Sequence, residues 1–264
     1  CTDVAAVNYD PAATIDDGSC VFSTLNDIPS LATPLSLNVA TGPGAGCNGI
    51  SGEDISAATV VAPEGQYRQT NPDLWYSFTP FSSGNRIQVV TSDFDALIEV
   101  FDENMQIVTS SQGDTFEDDN FVDGDEIFHA GDLTAGSQYY IRVAPYFAVA
   151  GPALFDICVQ TLRDTRCDYG AGPYSLCGTF KADFVYADSY IFNFTSQTTT
   201  MTYSSAPQTS TFLTLTNVPD LVDGDIYDVA IEAVYDLTDG NGNAEQIVVS
   251  NDEPCVVELS ETPL

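Results

Sequence analysis

The strongest constraint on this chain is a period of two. Apolar and polar residues alternate in Tyr140-Ile141-Arg142-Val143, in Phe155-Asp156-Ile157-Cys158-Val159 and in Tyr190-Ile191-Phe192-Asn193-Phe194. They alternate again from Asp225 to Val234, with the acids on the outer face. Residues two apart share one face of a strand, so each run is built to bury one face and wet the other. Turns rich in Gly, Asp, Asn and Pro separate the runs, and Asp223-Gly224 and Asp239-Gly240 are hairpin-type turns. No amphipathic helix is legible. Many short strands with frequent turn signals predict an all-β chain of sandwiches.

The central run is Asp73-Leu74-Trp75-Tyr76-Ser77-Phe78-Thr79-Pro80, which holds the single tryptophan. Leu74, Tyr76 and Phe78 fall on one side of a strand; Trp75, Ser77 and Thr79 fall on the other. The expectation is a central strand with one ring face in the core. The alternative is an exposed tryptophan that stacks on sugar.

Charge narrows the partners. The 264 residues carry 6 Lys+Arg against 39 Asp+Glu, a net charge of −33. Such a field repels nucleic acid and anionic membrane, and attracts divalent cations. No apolar run approaches the ~18 residues that span a bilayer, so direct membrane insertion is not expected. Seven cysteines imply an oxidising, extracellular or cell-surface setting. A start at Cys1 is expected of a processed product or of a segment of a longer chain.

Residues 1–22 read as a separate unit, too short for a core of its own. A Cys1–Cys20 bridge would close it, a loop worth roughly 3 kcal/mol in the chain-entropy model. Asp3, Asn8, Asp10, Asp16 and Asp17 are hard oxygen donors inside that loop, a candidate Ca²⁺ cage; the alternative is a set of Asx turns with solvated carboxylates. The pattern C-T-D-x-x-A-x-N-Y-D-P-x-A-x-x-D-D-G-S-C resembles a repeat of secreted and surface proteins of Bacteroidota that is likened to thrombospondin type 3 calcium repeats. The resemblance implies a spacer between larger modules. Val7 stands where the repeat usually has a third cysteine.

Residues 23–34 read as a linker. Strands are then expected at Leu35–Ala40, Ala57–Ala62, Leu74–Thr79, Arg86–Thr91, Ala96–Phe101, Gln106–Ser110, Glu126–His129, Tyr139–Ala144 and Leu154–Thr161. The runs Asp73–Thr79, Phe94–Phe101, Leu133–Val143 and Phe155–Val159 resemble, in their order, the bacterial pre-peptidase C-terminal domain. That likeness covers 35–162 and implies a non-catalytic accessory sandwich. Cys47 and Cys158 are the only cysteines in that span, and first and last strands often neighbour in such sandwiches, so they are expected to pair.

Residues 163–176 read as a junction. Strands resume at Thr179–Val185, Ser189–Thr195, Thr198–Ser204, Thr211–Thr216, Tyr227–Leu237, Ala244–Ser250 and Cys255–Leu259. Cys177-Gly-Thr, Tyr190–Thr195, Leu215–Leu221, Gly224–Ile231 and Pro254-Cys255-Val resemble a fibronectin type III-like module, which covers 177–264 as the last domain. The resemblance implies a Cys177–Cys255 bridge and leaves Cys167 over; a local Cys167–Cys177 bridge would instead strand Cys255.

Two further acidic stretches are candidates for metal. Asp114–Glu126 carries Asp114, Glu117, Asp118, Asp119, Asp123, Asp125 and Glu126, either solvated or ordered by Ca²⁺. Asp239, Asn241 and Asn243, after Asp236, resemble the start of a Ca²⁺ loop but lack its closing acid, which favours an ordinary turn. Enzyme chemistry has little to build on. His129 is the only histidine, which excludes a multi-histidine zinc site, and no G-x-S-x-G occurs. A glycosidase pair in the acidic loop would need a shaped cleft and separated pKa values. The reading is a non-enzymatic structural or adhesive module of a secreted surface protein, with self-association, another surface protein or a glycan as partner. The rival is a carbohydrate-binding accessory module, with Trp75, Tyr139, Tyr140, Tyr146 and Phe147 as candidate platform.

Overall fold

The computed structural model describes residues 2, 10–15, 26–39, 47–59, 67, 70–118, 125–167, 174–176, 178–183, 185–239, 241–251 and 254–260. Its regular structure is strand, with three single-turn 3₁₀ helices. Ten strands make the first sandwich: β1 Thr33–Pro34, β2 Leu37–Val39, β3 Ile50–Asp54, β4 Leu74–Phe78, β5 Gly84–Val90, β6 Ala96–Phe101, β7 Ile107–Val108, β8 Asp125–Ala130, β9 Tyr139–Pro145 and β10 Leu154–Leu162. One sheet runs β1-β4-β9-β6-β7; the other runs β2-β10-β5-β8, with β3 also on β10. Leu74, Tyr76, Phe78, Ile98, Val100, Ile141 and Val143 from the first sheet meet Ile87, Val89, Phe128, Phe155, Ile157 and Val159 from the second in one core.

Seven strands follow: β11 Thr179–Lys181, β12 Ser189–Ser196, β13 Thr202–Ser204, β14 Phe212–Thr214, β15 Ile226–Thr238, β16 Ala244–Ser250 and β17 Cys255–Glu258. The main sheet runs β13-β12-β15-β16, with β17 also on β15, and β11 pairs with β14 as a second layer. Strand β15 is long enough to serve two partners along one edge. Its residues 226–229 meet β17, and 232–238 meet β16. The alternating residues Tyr190, Phe192 and Phe194 of β12 are fully buried and join Phe180, Leu213, Tyr227, Val229 and Ile231 in a second core.

Three boundaries differ from the sequence reading. The described part of the expected linker belongs to the first sandwich: Asn26 C=O accepts the Trp75 N–H at 2.7 Å, and β1 pairs in parallel with Tyr76 and Ser77. The strand expected at Ala57–Ala62 is replaced, in its described part, by β3 at Ile50–Asp54 and a 3₁₀ turn at Ile55–Ala57, because β10 is nine residues long and β2 covers only its second half. The start of the expected junction lies on the second sandwich, where Arg166 C=O accepts the Asp183 N–H at 2.7 Å and Thr165 Oγ donates to Asp183 C=O at 2.8 Å.

Disulfides fasten both sandwiches. Cys47 bonds Cys158 on β10, with Cα atoms 5.9 Å apart. Cys255 on β17 bonds Cys167, with Cα atoms 6.2 Å apart, and not Cys177. This corrects the pairing that the fibronectin-like resemblance implied. The physical reason is the docked junction: Cys167 is bridged to Ala182 in strand fashion, which holds its sulfur beside the last strand. Cys1, Cys20 and Cys177 lie outside the described residues.

Candidate functional site

Strand β4 is buried on both faces, and this decides what Trp75 can do. In register across the sheet, Trp75 stands opposite Arg142, and Arg142 opposite Glu99. The three side chains form one row on the face away from the core. Arg142 Nε donates to Asp73 at 2.6 Å, and its Nη1 donates to Glu99 at 2.6 Å and to Tyr67 C=O at 2.7 Å. Trp75 Nε1 donates to Asp73 at 3.2 Å, and its ring packs on Phe101 at 5.4 Å. Trp75 is 2% exposed and Tyr139 is 7% exposed. Neither belongs to an open sugar platform, and the network is a buried brace. Burial pushes the Asp73 carboxyl up, outweighing the pull of Arg142.

The acidic loop folds back onto the same sheet. Glu117 exchanges both backbone hydrogen bonds with Ile98 of β6, at 2.9 and 3.0 Å. That pairing sets Asp118 beside Asp95, which immediately precedes β6. Glu126 arrives from β8 of the opposite sheet, on the face that carries Phe128 into the core. Asp95 and Glu126 are buried and Asp118 is half-buried, and one carboxylate oxygen from each lies within 4.8 Å of the others. This is an all-oxygen set of three carboxyl groups between the two sheets. Hard donors of this kind suit a Ca²⁺-like cation. Asp118 and Glu126 belong to the stretch the sequence singled out; Asp95 does not. Its signal was an acid abutting Ala96–Phe101, a strand buried at every position.

A line of aromatic rings runs close by. Tyr146 N–H donates to Asp95 C=O at 2.7 Å. The Tyr67 ring stacks on Phe116 at 4.3 Å and lies 5.7 Å from Tyr146, whose hydroxyl is 3.2 Å from that of Tyr67. Phe147 meets Tyr146 edge-on at 4.8 Å and is 55% exposed. Beside Phe147 opens a cavity of about 190 Å³, lined by Asp93, Phe94, Asp95, Val149 and Pro152 among others. Of the aromatics proposed from sequence, Tyr146 and Phe147 stand together at an opening; Tyr140 is half-buried on β9.

The other metal candidates fare differently. Asp3, Asn8, Asp16 and Asp17 lie outside the described residues. Asp10 is exposed, and its carboxylate accepts the Ala12 N–H at 2.8 Å, an Asx turn. Asp239 is not a free ligand: one oxygen accepts the Asn243 N–H at 2.6 Å and the other its Nδ2 at 2.7 Å. Gly242, at φ 80°, completes a turn that joins β15 to β16. Asp239 and Asn243 thus close this turn through their own side chains, with both Asp239 oxygens engaged.

No family model matches this chain, and no curated protein matches it. Among solved structures it is similar to a β-glucuronidase from Ruminococcus gnavus in complex with an N1-substituted uronic isofagomine, at 15% identity and a TM-score of 0.20 over 72% of this chain. A β-D-glucuronidase from Dictyoglomus thermophilum follows at 11% identity and a TM-score of 0.20 over 70% of this chain. The matched region spans 41% and 38% of those two chains. A likeness at that level establishes neither a shared fold nor a shared activity.

Proposed function

We propose that this chain is a non-catalytic structural segment of a secreted or cell-surface protein, in which two disulfide-pinned sandwiches stand in tandem and Ca²⁺ orders the acidic loop of the first. One observation carries the reading: the convergence of Asp95, Asp118 and Glu126. A cation held by these three would tie β6 of one sheet to β8 of the other and anchor the loop between them. Three like charges set this close repel one another strongly where water is scarce, and a divalent cation relieves that repulsion. Such a site stiffens a module; it does not need a substrate. Self-association through exposed strand edges, or docking to another surface protein or glycan, fits the same role.

The test is calorimetric titration with Ca²⁺, paired with thermal melts in Ca²⁺ and in chelator. Ligand at 100 times its Kd stabilises the folded state by about 2.7 kcal/mol. Asp95→Asn is expected to abolish both the binding heat and the melting shift. Identical melts with and without Ca²⁺ would remove the reading.

A second reading rests on the Tyr146–Phe147 corner, where an exposed ring borders a cavity. A sugar ring stacking on Phe147 would make the first sandwich a carbohydrate-binding module. Glycan-array binding that Phe147→Ala eliminates would favour it, and a blank array would dismiss it.

A further inference from the structure

The two sandwiches meet without a free linker. Leu162 ends β10 of the first sandwich, yet its side chain belongs to the core of the second. Tyr235 of β15 donates its hydroxyl to Arg163 C=O at 2.6 Å, immediately beyond. In a chain of net charge −33, two acidic modules held this close oppose one another. A local contact has to outweigh that field.

That contact is Glu245, on β16. Its carboxylate is 6% exposed, and both oxygens are taken by the first sandwich. Ser111 Oγ donates to one, and His129 Nδ1 meets the other. His129 is fully buried; it lies on β8, where Ser111 N–H donates to its carbonyl at 2.7 Å. The two residues that grip Glu245 are thus fastened to each other. Arg86 of β5 stands opposite His129 in register and puts a positive group on that strand pair. Beside the polar contact, Gly84 of β5 lets Val249 and Ile247 approach the sheet, and a Cβ there would collide with Val249 Cγ2.

We infer that Glu245 is an interdomain latch: a single buried carboxylate that makes the two sandwiches dock, and unfold, as one cooperative unit. Domain pairs within one chain move relative to each other by default unless their interface is large and apolar. Here a buried polar grip adds to the apolar contact of Leu162, Val249 and Ile247. Removing Glu245 takes this partner from the buried His129 ring, so the docked state loses more than one ordinary exposed hydrogen bond.

The experiment uses the full chain. Wild type is expected to unfold in one calorimetric transition, with calorimetric and van't Hoff enthalpies equal. Glu245→Ala is expected to split this into two transitions and to enlarge the radius of gyration measured by small-angle scattering. Gly84→Val, which leaves Glu245 in place but wedges Val249 away, is expected to do the same. Should the alanine variant fail to fold, Ser111→Ala removes one of the two bonds from an exposed position and is expected to broaden the transition in the same direction. A single sharp transition and unchanged scattering in the folded variants would overturn the inference.

Discussion

Arg142 is one of six basic residues, and it is buried. Its guanidinium serves Asp73, Glu99 and the Tyr67 carbonyl together. Arg142→Met is therefore expected to leave two carboxylates buried without a counter-charge, lowering stability by about 3–5 kcal/mol. Urea unfolding checks it, and the triple change Arg142→Met, Asp73→Asn, Glu99→Gln should recover much of the loss. Asp54 behaves in the opposite sense to Asp73. The Ser56 hydroxyl, then the Ala153 and Ser56 N–H groups, hold its carboxyl below the ordinary carboxylate range. A lowered folded value means the contribution is complete above the ordinary value and is lost as pH falls through the lowered one. An NMR titration should place Asp54 among the last carboxyls to protonate, and Ser56→Ala should move it upward. Alternation in the sequence placed Arg142 and Trp75 on the face away from the Leu74–Tyr76–Phe78 stripe. It did not show that this face is covered, because the cover comes from Tyr67 and Phe101, whose approach is tertiary.

At the scale of elements, the long central strands were legible because each alternates over a whole length. Strands β12 and β15 appear where the pattern put them. Strands β1 and β3 were not, since two residues of Thr-Pro and a stretch with Gly52 carry no period. The candidate cation set was half legible for the same reason. Composition marks Asp114–Glu126 as acidic, but Asp118 is brought to Asp95 by the Ile98–Glu117 pairing, a contact between segments no local pattern links. The disulfides follow from element placement. Cys47–Cys158 closes a separation of 111 residues, and a loop of about 100 residues corresponds to about 4.7 kcal/mol in the chain-entropy model. The Cys47→Ser, Cys158→Ser double variant is expected to lose up to about that amount. With both sandwiches unfolding as one unit, the loss should appear as a lower urea midpoint of the single transition and as faster hydrogen exchange along β10 and β15 alike.

For the whole molecule, charge decides how it responds to its solution. A formal charge of −33 destabilises any compact state, and counterions reduce the penalty as the screening length falls from about 30 Å at 0.01 M salt to about 3 Å at 1 M. The melting temperature is expected to rise with NaCl over that range, by a smooth increase that any monovalent salt reproduces. Ca²⁺ at matched ionic strength separates the two origins of cation stabilisation. Diffuse screening depends on ionic strength alone, so Ca²⁺ and NaCl should then agree. Binding at Asp95, Asp118 and Glu126 depends on the ion, so Ca²⁺ should add a further, saturable rise. Asp95→Asn should erase that extra rise and leave the NaCl curve in place, because removing one of 39 acids hardly alters the field of the whole chain. A wild-type Ca²⁺ curve that superimposes on NaCl would assign all cation stabilisation to bulk charge.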